Sequence, residues 1–218
     1  MTEINENACN CLTLGDDAPL FSATTTHGEI NFGDYIKDNW TILFSHPADF
    51  TPVCTTEIIG FAQQYAEFEK KGVKLIGLSI DSVYSHIAWV RQIEKEFNLK
   101  IKFPIIADLG FKVANLYGMI QKKSSKVHTA RSVFIIDNNG KIRMIMMYPS
   151  TLGRNIEEIL RIIDSLQLSD REHVATPANW VLGESVIIAP PTTTEDAEKR
   201  THDKHAECSD WYLCKKKI

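Results

Sequence analysis

No stretch of this 218-residue chain approaches the ~18–20 consecutive apolar residues that a membrane-spanning helix needs. There is no surplus of basic residues either: 24 Lys and Arg stand against 28 Asp and Glu, a formal charge of −4. Nucleic acid and anionic membrane surfaces, which select for clustered positive charge, are therefore not expected partners. Cysteine is scarce, with five residues (Cys9, Cys11, Cys54, Cys208 and Cys214) at irregular spacing. An odd, sparse set is not the framework of a disulfide-dense secreted domain. The first seven residues are polar and acidic, unlike a secretory signal or an Arg-rich transit peptide. These features lead us to expect a cytoplasmic protein, in whose reducing surroundings a cysteine serves chemistry, metal binding or packing.

What is present suits a globular fold. Apolar residues make up 44% of the chain and charged residues 24%, enough to bury a real core. Strand-like and helix-like segments alternate through the middle of the sequence. Trp40-Thr41-Ile42-Leu43-Phe44-Ser45 reads as a buried strand, closed by His46-Pro47. Apolar residues at Ile58, Phe61, Ala62, Tyr65 and Phe68 predict one amphipathic helix over Glu57 to Lys71, ended by Gly72. Val73 to Ile80 is again strand-like. Asp81 or Ser82 then caps a helix with Ile87, Val90, Ile93 and Phe97 facing inward.

Ile105-Ile106-Ala107 predicts a brief strand, and Phe111 to Tyr117 a short helix. Ser132 to Asp137 and Lys141 to Tyr148 flank Asp137-Asn138-Asn139-Gly140, and an Asn-Gly turn between two β-rich runs signals a hairpin. Arg154 to Leu166 predicts a helix burying Ile156, Ile159, Leu160, Ile163 and Leu166. The alternation implies an α/β fold, with a central mixed sheet flanked by helices and an antiparallel pair near its end. We divide the chain into a main α/β domain at 1–169 and a C-terminal arm at 170–218, which is punctuated by Pro and Gly and thinly apolar.

Chemistry concentrates in Ser45-His46-Pro47-Ala48-Asp49-Phe50-Thr51-Pro52-Val53-Cys54-Thr55-Thr56-Glu57. This run joins a buried strand to a helix, so Cys54 falls in the helix's first turn. Unpaired backbone N–H groups and the positive end of the dipole favour an anion there, and the thiolate is the reactive form of cysteine. Pro47 can wall off the sulfur, Pro52 suits the turn into the helix, and the Thr51 hydroxyl can point to the same spot. A thioredoxin-type disulfide exchanger needs a second cysteine where Glu57 stands. A Cys–His hydrolase with His46 or His128 as base remains open on residue types alone.

The motif Pro47-x-x-x-Thr51-x-x-Cys54, within Phe50-Thr51-Pro52-Val53-Cys54-Thr55-Thr56-Glu57, resembles the active-site signature of the peroxiredoxins. Ser45-His46-Pro47, Gly153-Arg154-Asn155 and Val174-Ala175-Thr176-Pro177 with Trp180 resemble the 1-Cys subgroup in particular. The resemblance implies a thioredoxin-like fold and thiol peroxidase activity on hydrogen peroxide and small organic hydroperoxides. It also implies recycling by an external thiol (glutathione, thioredoxin or glutaredoxin), a homodimer, and no metal or organic cofactor.

Carried over by position, Cys54 matches the peroxidatic cysteine, Thr51 the hydroxyl that binds peroxide and Pro47 the residue that shields the sulfur. Arg131, in Thr129-Ala130-Arg131-Ser132, matches the active-site arginine, whose fixed positive charge stabilises anionic sulfur and shifting charge. His46, Glu57 and Arg154 match residues around the pocket. The alternative is a peroxide sensor or redox-regulated holdase that uses the same cysteine.

No cysteine occupies the Val174–Pro177 stretch, where two-cysteine members carry their resolving thiol. Cys9, Cys11, Cys208 and Cys214 are expected as incidental thiols, their spacings being poor for zinc. The phospholipase activity credited to some animal members depends on a His and a Ser. In register those positions fall on Gly33 and Asn39, so that activity is not carried over.

Overall fold

The computed structural model describes residues 12–121, 123, 125, 127–200 and 207–218. Cys9 and Cys11 lie outside the described residues. The chain forms two compact units, residues 1–156 and 157–218.

In the first unit the elements run β1 (Ser22–Thr25), β2 (Gly28–Asn31), α1 (Phe32–Ile36), β3 (Trp40–Ser45), α2 (Pro52–Gln63), α3 (Tyr65–Lys70), β4 (Val73–Ser79), α4 (Val83–Phe97), β5 (Ile105–Ala107), α5 (Lys112–Leu116), β6 (Arg131–Ile136) and β7 (Ile142–Tyr148). Seven strands form one sheet in the order β2-β1-β5-β4-β3-β6-β7. The β3–β4 and β4–β5 pairs are parallel, and β3–β6 and β6–β7 are antiparallel. This is the mixed, helix-flanked sheet that alternation of strand and helix predicts.

The central strands read as apolar runs because both of their faces are covered. Ile42, Leu43, Phe44, Ile76, Leu78, Val133, Phe134, Ile135 and Ile136 are buried. At ~25 cal/mol per Å², burial of such side chains is the main stabilising force. The Asn-Gly turn forms as expected: Gly140 takes φ +76° and its N–H donates to the Asp137 carbonyl at 2.9 Å.

The structure departs from the sequence reading in three places, the extent of α2 and α3, the inner face of α4 and hairpin β1–β2, while the Ser82 cap of α4 is one of the two that were expected. The helix expected over Glu57 to Lys71 begins earlier, at Pro52, and is interrupted at Gln64 into α2 and α3. Helix α4 is capped by Ser82, whose Oγ accepts from the Ser85 N–H at 3.2 Å. Its inner face is His86, Trp89 and Ile93, whereas Ile87 and Phe97 are exposed. The apolar spacing of that segment fits two adjacent stripes, and the large indole of Trp89 takes the buried one. Hairpin β1–β2, rich in Thr and carrying few apolar residues, was not foreseen.

The second unit holds all but the first residue of α6 (Ile156–Glu172), with β8 (Val186–Ile187), α7 (Thr194–Arg200), β9 (Glu207–Asp210) and β10 (Leu213–Lys216). Strands β8-β10-β9 form a small antiparallel sheet. Helix α6 buries Ile159, Ile162, Ile163 and Leu168, so Leu160 and Leu166 are only partly covered. Leu168, Val174, Trp180 and Val186 make a separate core cluster. Val181 and Leu182 stay exposed. Cys208 and Cys214, expected as incidental thiols, stand opposite each other on β9 and β10 and are joined by a disulfide. A six-residue separation across a tight hairpin brings the two sulfurs together without any larger rearrangement.

Candidate active site

Cys54 is the third residue of α2 and is fully buried. It is the only free cysteine among the described residues. Pro52 stands in the first turn of that helix, where its missing N–H costs nothing. The turn into it is tight. Phe50 takes φ +53°, a left-handed conformation that a bulky side chain rarely adopts and that costs on the order of 1–3 kcal/mol. The Asp81 carboxylate holds this turn in place by accepting from the Asp49 N–H at 3.0 Å and from Ser79 Oγ at 2.6 Å.

Arg131, the first residue of β6, brings Nη1 to 3.2 Å from Sγ of Cys54. The same Nη1 donates to Glu57 Oε2 at 2.7 Å. The far edge of the guanidinium is fixed by the Ser150 carbonyl, which accepts from Nη2 at 2.7 Å and from Nε at 3.1 Å. Glu57, one turn after Cys54 on α2, also receives Arg154. The backbone N–H and Nε of Arg154 donate to Oε1 at 2.9 and 2.8 Å, and its Nη2 donates to Oε2 at 2.8 Å. Arg154 Nη1 donates to the carbonyls of Ser45 and Ser132 at 2.9 and 3.0 Å. Phe44 and Phe61 flank that guanidinium at 5.3 and 5.7 Å.

One carboxylate thus braces two buried arginines. Burial by itself pushes the Glu57 carboxyl up. The charge and hydrogen bonds of Arg154, with the charge of Arg131, outweigh it and hold the group below the ordinary carboxylate range. Burial draws Arg154 down from its usual value, partly offset by Glu57. Such an ion cluster is stiff, because each polar atom has a fixed partner.

Thr51 is the N-cap of α2, and its hydroxyl donates to the Ala48 carbonyl at 2.8 Å. Pro47 and Thr51 line a cavity of about 510 Å³ that also touches His128, Met147 and Tyr148. His128 lies at this rim and is exposed, not paired with Cys54 as a hydrolase base would be. His46 ends the run from β3 and is fully buried; its Nε2 lies 2.9 Å from Asp49 Oδ1. Pro47, Thr51, Cys54, Glu57, Arg131 and Arg154 therefore gather at one end of the sheet, where β3 and β6 deliver their neighbours side by side.

Asp49 and His86 were missed. Asp49 bridges His46 to His86, whose Nδ1 lies 2.7 Å from Asp49 Oδ2. His86 Nε2 lies 3.1 Å from the Ile106 carbonyl oxygen. These three residues bring ligand-type atoms within 4.8 Å of one another, a set that metal sites use. Here His46 Nε2, Asp49 and His86 already satisfy one another by hydrogen bonds at 2.7–2.9 Å. The apolar stripe read through Ile87 and Val90 sets His86 off the buried face, and it is the burial seen in the structure that shows the polar ring to require a partner.

The chain matches two family models: the AhpC/TSA family over residues 14–145, and the C-terminal domain of 1-Cys peroxiredoxin over residues 165–204. A peroxiredoxin of Aquifex aeolicus is 53% identical over 215 residues, covering 94% of this chain and 96% of that one. A peroxiredoxin of Methanosarcina mazei is 53% identical over 212 residues, covering 94% and 97%. Among solved structures, a yeast mitochondrial 1-Cys peroxiredoxin studied for thiol resolution via the glutathione/thioredoxin systems superposes with a TM-score of 0.84 at 47% identity, covering 95% of this chain and 100% of that one. A mutant of the peroxiredoxin 6 of Arenicola marina superposes with a TM-score of 0.85 at 38% identity, covering 94% and 98%.

Proposed function

Because this chain belongs to the peroxiredoxin family, in its 1-Cys branch, and is a thiol-dependent peroxidase, we propose that Cys54 is the residue that attacks the peroxide. The carrying observation is the 3.2 Å contact between Arg131 Nη1 and Cys54 Sγ, made by an arginine that Glu57 and Ser150 hold still. The sulfur, as thiolate, attacks the terminal oxygen of ROOH. The O–O bond breaks, Cys54 becomes a sulfenic acid, and RO⁻ takes up a proton to leave as ROH. A fixed cation beside the sulfur stabilises the charge as it moves onto oxygen, at no reorganisation cost.

Thr51 and Pro47 supply the peroxide-facing hydroxyl and the shielding wall at the cavity rim. Arg154 and Glu57 act on the reacting atoms through Arg131, as positioning residues. His46, buried and hydrogen-bonded to Asp49, is assigned beside the pocket, as the resemblance implies. An external thiol condenses with the sulfenic acid, releasing water, and a second thiol frees Cys54. We assign that role to a small or protein thiol of the glutathione, thioredoxin or glutaredoxin type. The family matches favour this turnover over the sensor or holdase alternative.

Residues 170–218 are proposed as a dimerisation arm next to a peroxidase domain at 1–169, in a homodimer. Strand β7 supports this reading, because it is an outermost strand of its sheet. Exposed Val181 and Leu182 support it too. No helix among the described residues is long and apolar enough to cross a membrane, and a cytoplasmic location is our reading. Peroxide consumption by Cys54→Ser tests the assignment: activity should vanish there, and should persist when Cys9, Cys11, Cys208 or Cys214 is changed. Sedimentation of the chain cut after Asp170 tests the arm, since an unaltered dimer removes it from the explanation.

A further inference from the structure

The segment between α5 and β6 reverses the sign of the chain's charge. From Leu109 to Ile136 the sequence holds no Asp or Glu, and Lys122, Lys123, Lys126 and His128 crowd its middle, in a chain of formal charge −4. The segment is a loop closed at its base, where the Ala130 N–H donates to the Met119 carbonyl at 2.8 Å. Within it the Ser125 N–H donates to the Gln121 carbonyl at 2.9 Å, and Ser125 Oγ accepts from the N–H groups of Val127 and His128 at 3.2 and 3.1 Å. Gln121 Nε2 donates to the Gly118 carbonyl at 2.9 Å and to Met147 Sδ at 3.4 Å, tying the loop to β7.

This loop builds one side of the cavity that Pro47 and Thr51 line, contributing Gln121, Lys123, Ser125 and His128. Pro47, Ala48, Met147, Tyr148 and Pro149 give the cavity an apolar surface. Among the described residues no Asp or Glu lines it, and Lys123 has no ion-pair partner. Glu57, the carboxylate of the reactive centre, is already engaged by Arg131 and Arg154. The cations of the rim are therefore open to an anion from solution. At about 510 Å³ the cavity falls in the range of about 300–1,000 Å³ that organic ligands occupy. Hydrogen peroxide is little larger than a water molecule, whose share of liquid volume is about 30 Å³.

We propose that this cavity selects organic hydroperoxides that carry a carboxylate, and that Lys123 sets the preference. The apolar surface covers the hydrocarbon part, the –OOH end faces Thr51 and the carboxylate meets Lys123. The inference rests on Cys54 being the peroxidatic cysteine and names the substrate class of that site. The carboxylate takes no part in the bond changes: the O–O bond breaks as for any ROOH, and a hydroxy acid leaves. A carboxylate-bearing thiol would offer Lys123 the same charge. The apolar surface beside Thr51 favours the hydroperoxide, whose hydrocarbon chain is stabilised by burial. Lys123 is exposed, so its pairing is modest in strength and screened by salt.

Stopped-flow oxidation of the reduced full-length protein, with no reductant present, compares ω-hydroperoxyoctanoate with its methyl ester, which lacks the charge. The ratio of the two second-order rate constants cancels any effect on the sulfur that both substrates share. At low salt the native protein should favour the acid by about three- to ten-fold. Lys123→Gln should lower the ratio about two- to five-fold, the factor an exposed ion pair gives, and Lys123→Glu by that factor again. Raising salt from about 0.01 to about 1 M shortens the screening length from about 30 to about 3 Å and should bring the native ratio close to one. A native ratio at or below one, a ratio unmoved in Lys123→Glu, or a preference that survives high salt overturns the proposal. A second arm re-reduces oxidised Cys54 with glutathione and with its diethyl ester. A charge preference that appears in this arm alone, and that Lys123→Glu abolishes, assigns the cations to the reductant and overturns the proposal. These outcomes sink only the substrate class, whereas a native protein that consumes neither these hydroperoxides nor hydrogen peroxide sinks the peroxidase reading beneath it.

Discussion

Glu57 and Arg154 are joined by three hydrogen bonds, two on Oε1 and one on Oε2, although 97 residues separate them in sequence. The same carboxylate holds Arg131 at 2.7 Å. Glu57→Gln should therefore unfix both guanidiniums at once. Removing one partner from a buried ion cluster costs on the order of 3–5 kcal/mol. A urea denaturation midpoint that does not fall would contradict this role.

Arg131→Met removes the cation 3.2 Å from Cys54 Sγ. Oxidation of Cys54 by hydrogen peroxide should slow by about 10²–10³-fold, since each ~1.4 kcal/mol of lost transition-state stabilisation is tenfold. Stopped-flow rates within a factor of two of the native protein would demote Arg131.

Acid should destabilise the fold in a defined sequence. His46, Glu57 and Asp49 all have folded-state values held below their ordinary ones. Their contributions are complete above the unfolded-state values, about 6.5 for His and about 4 for the carboxyls. As pH falls below about 6.5 the unfolded chain gains the His46 proton first, and stability drops. Below about 4.5 the two carboxyls add their share, each up to about 1.4 kcal/mol per pH unit. Stability that rises from pH 7 to pH 4 in a urea titration would reverse the sign and refute the assignment.

Reducing the Cys208–Cys214 disulfide should loosen the C-terminal hairpin while leaving the oxidation rate of Cys54 intact. Closing so short a loop contributes about 2 kcal/mol to the hairpin by the chain-entropy estimate. Amide exchange should therefore accelerate over Glu207–Lys216 in Cys208→Ser. An equal acceleration over β3 and β6 would show that the hairpin is not a local device.

The parts of this molecule that the sequence made legible are those set by local pattern. Cys54 in a first helical turn, the Asn139-Gly140 turn and the buried β3 run follow from neighbouring residues alone. Contacts between distant residues did not. Asp49 and His86 lie 37 residues apart, and nothing local marks them as partners. The inner face of α4 was misplaced by one residue because Trp89 beside Val90 gives two stripes of equal period. The pairing of Cys208 with Cys214 depends on a hairpin in a polar tail, where apolar spacing is silent. Arg131, Glu57 and Arg154 were found only through the family resemblance, and the structure adds the physical reason: one carboxylate orders both guanidiniums.

The most direct test is a peptide map of the native protein after one equivalent of hydrogen peroxide in the presence of a 1,3-dione that traps sulfenic acid. The account predicts a single adduct, on Cys54, with Cys208 still bonded to Cys214. An unmodified Cys54, with the oxygen carried by another residue, would contradict it.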